Sequence, residues 1–506
     1  MPLGVIAACY ILSRALFWFL GVRFASSEVE YFWQYLDTSL LKHQLWTSIL
    51  YLHSEPPLMN LFYGAMLKAF PTHWPMVAYS FNLLFGQFAY MAIYIIISKS
   101  NVAHPIAMGV VILAMCNPSA VVYEAEPFYT HTVFCLLVFA TYLFQSYLRQ
   151  PKIGVGAAFL GILTALVLWR SSYQLAWYAL YALWLIKITP SNMLRKIVIL
   201  ALIFGGIIGS LYIKNRILFG VFNTSSGTGM SLAKSWAGTP NILRLVQEKK
   251  LSPISSIYTG SSMDKYLPEI GPLPSTGVKA VDAIFKDNGS MNLNNIGYPE
   301  VSKLYTRDYL RLVKLSPMTI AKQIGVGWID YFRTSSVWIS AFDPANQSSV
   351  EDVDRWYRYF FCTGAEKSHK FSAPGDHHNS EKIKLLIKLR SVCWYSVLIY
   401  VVFALFLVYM PFQRWIASED RSRRQLLLFL ITNIAYSSVL CNAVEVGENM
   451  RYRYDTQGLL VIAATIIGYQ VVRSFPHVEN ASRSVEVVCG GWANNTRNMR
   501  NLSAQA

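Results

Sequence analysis

Residues 26–64 read SSEVEYFWQYLDTSLLKHQLWTSILYLHSEPPLMNLFYG. They follow an apolar run at 3–22 that lacks a basic start and an evident cleavage pattern, so that run reads as a retained first membrane helix rather than a signal peptide. The quoted stretch is too polar to cross a bilayer and too aromatic for a linker. Asp37, His53 and Glu55 lie among Trp33, Tyr35, Trp46 and Tyr51, and Pro56-Pro57 closes the run. Rings with one apolar and one wet side suit a membrane surface. The stretch reads as an interfacial loop carrying acid–base groups, and the rest of the chain as its frame.

Composition supports that frame. Of 506 residues, 54% are hydrophobic and 14% charged, with mean hydropathy +0.34. Soluble domains carry about 25% charged residues. Many separate apolar runs with so few charges argue for a multi-pass membrane protein and against one soluble core. The net charge is +16, but the basic residues are scattered through short loops rather than gathered on one face, which excludes a nucleic-acid binder. Cys9, Cys116, Cys135, Cys393 and Cys441 lie in apolar runs, and Cys362 and Cys489 are far apart, so no disulfide framework is indicated.

Working outward, the hydropathy pattern predicts an all-α bundle of ten membrane helices, at about 3–23, 75–98, 104–122, 127–147, 153–169, 173–187, 195–213, 391–411, 425–442 and 456–473. The organisation is then an N-terminal membrane module (1–213) with its first outer loop (24–74), an outer segment (214–390), C-terminal membrane helices (391–473) and a polar tail (474–506). The apolar run at 316–340 reads as a helix on the membrane surface. Lys99, Arg149, Lys152, Lys187, Arg195, Lys196 and the four Arg residues between 414 and 424 fall on one side, which is therefore cytoplasmic. The opposite, periplasmic or luminal side receives the Asp37 loop, a short turn with Glu124 and Glu126, Arg170, the long segment and a Glu448–Arg453 turn.

Those outer polar groups are the candidates for chemistry. Asp37 could take a proton from a hydroxyl, or simply cap the helix that Thr38-Ser39 begins. His53 reads as an orienting group. Glu124 at a membrane boundary is costly unless paired or wet. Arg170, Arg451, Arg453 and Lys214 could hold phosphate or could snorkel. The FGVFNTSSGTGMSLAK run could supply hydroxyl and backbone contacts, but it is not a P-loop. Asn346-Gln-Ser348 is a glycosylation acceptor pattern if the source is eukaryotic. No nucleophile elbow, HExxH pair or dinucleotide fingerprint occurs.

Taken in order, the acidic first loop, HSEPPLMN, a YE turn, KNRILFG with its Ser/Gly run, NNIGYPEVSKLYTRDYLRL and ENMRYRY resemble the GT-C class of membrane glycosyltransferases related to protein mannosyltransferases and aminoarabinose transferases. The resemblance spans about 24–456. It implies a polyprenyl-phosphate-linked sugar as donor, inverting transfer to a lipid, glycan or protein acceptor, and a carboxylate in the first outer loop as base. That role falls to Asp37, with Glu30 and Glu28 as rivals and Glu124 as a further candidate. Substrate contacts fall to His53, Asn60, Tyr129, Arg170, Lys214, Arg451 and Arg453. Some relatives use a divalent metal, Mg or Mn. Where some relatives have Lys before the proline of the PP motif, this chain has Glu55. A lipid or polysaccharide transporter and a non-catalytic scaffold on the same fold are the alternative classes.

Overall fold

The computed structural model describes residues 2–333, 344–361, 397, 400–401, 421–445 and 447–473. Among them the chain is helical, with no named strand and an isolated bridge between Phe285 and Met291. Among the described residues, five helices are long and apolar enough to cross a membrane: Pro2–Phe19, Trp74–Lys99, Tyr129–Arg149, Ser191–Phe219 and Arg421–Val444. Two bent pairs raise the number to seven. Ile153–Trp169 and Leu175–Ile188 are apolar but shorter, at 17 and 14 residues. The described residues thus account for five to seven of the ten expected spans, and the expected 391–411 span falls almost wholly outside them. Tyr129–Arg149 is the central helix, packed against 74–99, 153–169, 421–444 and 457–473.

The bends correct the expected turns. After Met115 the chain breaks at Cys116-Asn117, where Asn117 accepts from the Ser119 N–H (3.0 Å) and Pro118 opens a second helix at 56° to the first. Pro suits a helix's first turn because its missing N–H would be unpaired there anyway. Glu124 therefore lies inside the helix Pro118–Ala125, not in a wet turn. Residues 449–455, expected as a turn, form a helix bent by 59° from Gln457–Arg473. The expected boundary at 214 also moves: the helix runs to Phe219 and ends on Gly220, whose φ of +69° is the left-handed conformation that glycine adopts without penalty.

Inside the bundle, Arg14 meets Glu124. The Arg14 Nε and Nη2 donate to the two carboxylate oxygens (2.7 and 2.5 Å), and Nη1 donates to the Met115 carbonyl and Ser13 Oγ (2.6 and 2.9 Å). The guanidinium also lies 4.1 Å from the Tyr10 ring centroid. Such mutual satisfaction is what allows two charges to sit away from water.

The 220–331 segment has its own core around Trp236, Ile254, Tyr266, Tyr298 and Tyr305. It is clamped to the first loop. The Asn294 Oδ1 accepts the N–H groups of His53 and Ser54 (2.8 and 3.1 Å), Ser226 N–H donates to the His53 carbonyl (2.8 Å), and Lys286 Nζ donates to the Phe32 carbonyl (2.7 Å). The Ser/Gly run serves packing. At Gly229 a Cβ would stand 1.9 Å from the Ser302 carbonyl oxygen, so only glycine lets helices Thr228–Ala233 and Tyr298–Leu315 approach this closely. Pro317–Tyr331 is a helix of 15 residues packed on 421–444 and 449–455; residues 334–340 of the expected 316–340 run lie outside the described residues. Asn346 is buried and bonds both the N–H and the carbonyl of Arg23 (2.7 and 2.6 Å), so its amide is a clamp rather than an open glycosylation acceptor.

Candidate functional site

Several expected site residues turn out to hold the scaffold. Asp37 is the N-cap of helix Thr38–His43: one carboxylate oxygen accepts the Ser39 N–H (2.7 Å) and the other the Asp287 N–H (2.6 Å). The cavity beside it measures about 10 Å3, roughly the room of one water and far too little for a sugar. His53 is buried, with Nδ1 2.7 Å from Ser226 Oγ. Burial, aided by the Lys214 charge, pushes its pKa down to about 3, so it is neutral. Asn60 accepts the Leu36 N–H (2.8 Å) and donates to the Gln34 carbonyl (2.9 Å). Lys214 donates to the Leu52 carbonyl. Arg453 donates to the Arg333 carbonyl at 2.8 Å. Glu30 has an exposed side chain, while its carbonyl receives Asn288 and Lys286. Glu28 is buried. Glu124 is the counter-ion of Arg14.

Tyr129, Arg170 and Arg451 do come together, and with residues the sequence reading left out. Arg170 follows helix Ile153–Trp169, Tyr129 opens the central helix, and Arg451 and Tyr452 lie on Asn449–Asp455. The Arg170 guanidinium stands 4.6 Å from the Tyr129 ring centroid and 4.3 Å from that of Tyr452. Arg451 stands 4.7, 4.9 and 5.2 Å from the rings of Phe128, Tyr129 and Tyr452. Stacking of guanidinium on aromatic faces holds both cations flat and rigid. Arg170 Nη1 pairs with Asp455, while its Nη2 is buried with no hydrogen-bond acceptor among the described residues.

A carboxylate rim surrounds the pair. Glu448 is bridged by Arg451 Nη2 (2.6 Å) and Lys234 Nζ (3.0 Å), and Lys234 also binds Glu445 at 2.7 Å. Burial would raise the Glu448 carboxyl, but Lys234 and then Arg451 hold it down at about 2. Glu55 differs. It is half-buried, it has no hydrogen bond or ion pair among the described residues, and its closest influences are the Arg451 and Arg170 charges, then Glu445 and Glu448. Burial outweighs the two arginines and pushes its carboxyl up to about 7. Its backbone is pinned from both sides: Asn294 and Ser225 hold Ser54, and Pro56 leads into the helix Pro57–Ala69. The site thus offers fixed guanidinium donors within electrostatic reach of a carboxyl whose pKa burial pushes up to about 7, a combination suited to holding an anionic group and moving a proton near it.

A divalent metal does not fit these residues. Glu445 and Glu448 are already neutralised by Lys234 and Arg451, and among the described residues no three His, Cys, Asp or Glu side chains form a metal-holding group.

Glu55 was legible as the acidic residue before Pro56-Pro57, where the resemblance calls for Lys. Lys234 closes the FGVFNTSSGTGMSLAK run and Tyr452 lies within ENMRYRY, but nothing local marked either of them, or Glu445, as a partner of the arginines: Lys234 and Glu445 meet across 211 residues of chain. No family model matches the chain, and no curated protein matches it either.

Proposed function

We propose that the chain is a membrane glycosyltransferase of the GT-C kind, moving a sugar from a polyprenyl-phosphate donor to a lipid, glycan or protein acceptor with inversion. The observation that supports this reading is the Glu55 carboxyl set against the Arg170–Tyr129–Arg451 stack. The donor phosphate would lie on the two guanidiniums and the acceptor hydroxyl at Glu55. As the acceptor oxygen forms its bond to the sugar C1, its proton passes to the Glu55 carboxylate and the C1–O bond to phosphate breaks. Polyprenyl phosphate leaves with the electron pair, its charge matched by Arg451 and Arg170. Glu55 then loses the proton to water. The bundle end carrying this cluster would be the periplasmic or luminal face.

The transporter reading draws on one observation, the ion pair inside the bundle. Arg14 and Glu124 satisfy each other and the Met115 carbonyl completely, which describes a lock between helices better than a site that exchanges cargo. Purified full-length protein in proteoliposomes, supplied with polyprenyl-phosphate mannose and polyprenyl-phosphate aminoarabinose, tests the proposal by release of polyprenyl phosphate. Glu55→Gln should slow turnover about 10²–10⁴-fold with donor binding kept. Arg451→Gln should weaken donor binding about tenfold or more. Full turnover in Glu55→Gln would remove it as the base, and no release from wild type with either donor would favour the scaffold or transporter class.

A further inference from the structure

Glu55 is carried by a strap, residues 51–54, that lies outside any helix. Its carbonyls therefore have no helical ladder to join and need partners from elsewhere. The Tyr51 carbonyl accepts from Asn294 Nδ2 (3.1 Å), that of Leu52 from Lys214 Nζ, that of His53 from the Ser226 N–H (2.8 Å) and that of Ser54 from Ser225 Oγ. The His53 and Ser54 N–H groups both donate to Asn294 Oδ1 (2.8 and 3.1 Å). These partners are 162 to 243 residues away in sequence. The strap is thus shaped by the segment that packs on it rather than by its own residues.

Asn294 makes three of those six bonds. Its Nδ2 also donates to the Ala280 carbonyl (3.2 Å), so the amide uses two acceptor and two donor positions, all that an asparagine side chain has. It is 2% exposed, so water does not stand ready to replace it. The amide is itself held by its neighbours. The Asn294 N–H donates to Asn292 Oδ1 (3.1 Å), Asn292 Nδ2 donates to the Ala283 carbonyl (2.8 Å), and Asn295 Oδ1 accepts the Gly297 N–H (3.0 Å) where helix Tyr298–Leu315 begins. The NNIGYPEV run, so far without a role, opens on this residue.

We propose that Asn294 is a positioning residue for Glu55: its amide fixes the strap, and the strap fixes where the carboxyl stands. As a role in the reaction this rests on the reading of Glu55 as the base. Asn294 acts through the backbone of residues 51–54. The charged and titratable groups that act on the Glu55 carboxyl, Arg451, Arg170, Tyr129, Glu445 and Glu448, belong to other elements. They stay in place when the strap shifts, so a loosened strap moves the carboxyl relative to all of them and opens it to water.

The test sets Asn294→Ala beside Lys286→Met in purified full-length protein. Lys286 bonds the Phe32 carbonyl (2.7 Å), so its loss weakens the same interface away from the strap. In each background the stability difference between Glu55→Gln and its Glu55 parent is followed by unfolding at pH 4.5, 5, 6, 7 and 8. With Asn294 present the difference should level off at about pH 7, where the folded carboxyl ionises. Asn294→Ala should bring that point down by about one unit or more, and Lys286→Met should leave it unmoved. With a polyprenyl-phosphate sugar, Asn294→Ala should lower kcat about 10²-fold with the donor KM kept, the loss expected for a reacting group misplaced by about 1 Å. An unmoved levelling point in folded Asn294→Ala, or an equal shift in Lys286→Met, overturns the proposal. The stability profile needs no substrate, so it decides whether Asn294 places Glu55 even where wild type releases no polyprenyl phosphate, an outcome that counts against the transferase reading alone. If Asn294→Ala does not fold, hydrogen exchange of the wild type takes its place: the amides of His53 and Ser54 should be protected as long as those of 295–298, and free exchange at 53–54 beside a protected 295–298 overturns the proposal.

Discussion

Glu55→Gln should make the protein more stable at pH 8 while removing its activity. In the folded chain the carboxyl is held at about 7 rather than 4.5, chiefly by burial against the arginines' opposing pull. A displacement of that size costs the ionised form about 3 kcal/mol; because Glu55 is only half-buried, screening reduces this to about 1–2 kcal/mol. The folded state keeps its proton longer than the unfolded chain does. Between pH 4.5 and 7 it therefore binds more protons, and stability falls as pH rises through that window and stays lower above it. Gln has no proton to lose, so that loss is absent. The stability difference between variant and wild type should open by about 1–2 kcal/mol in the variant's favour from pH 4.5 to pH 8. Equilibrium or thermal unfolding in detergent at pH 4.5, 6, 7 and 8 measures it, and wild-type turnover should rise with pH through about 7 as the base ionises. Parallel stability profiles for the two proteins would refute the reasoning, because Glu55 would then not be held protonated at its site.

Three further outcomes follow from the same geometry. Arg14→Gln strands the Glu124 carboxylate and should lower stability by about 3–5 kcal/mol, with much of it recovered in Arg14→Met/Glu124→Met; a single variant that unfolds with wild type would show that the pair does not lock the bundle. Asp37→Ala should lose about 0.5–2 kcal/mol with turnover kept, and Asp37→Asn still less; loss of turnover in a stable Asp37→Asn would return the base to Asp37. Single cysteines replacing Asp264 and Arg421 in a cysteine-free background should label from opposite sides of sealed vesicles, and same-side labelling would overturn the assigned orientation.

What could be read along the chain was whatever short-range chemistry dictates. Apolar runs long enough to bury their backbone in hydrocarbon marked the helices at 74–99 and 129–149 to within two residues, because a membrane span is a local property of composition. Asp37 before Thr38-Ser39 offered a helix cap as the rival to its reading as a base, since an N-cap needs only the next few residues, and the structure has it cap Thr38–His43. The bends at Asn117 and Thr456 escaped, because hydropathy is continuous across them while helix direction is not. The partners of charges escaped for a different reason. Arg14 and Glu124 are 110 residues apart, Arg170 and Asp455 are 285, and Lys234 and Glu445 are 211. A carboxylate in a first loop looks the same in sequence whether two backbone N–H groups bond it, as at Asp37, or burial without a hydrogen-bond partner among the described residues pushes its pKa up against the pull of two arginines, as at Glu55. Burial and the placement of neighbouring charge decide between them, and both are properties of the folded bundle rather than of any segment within it.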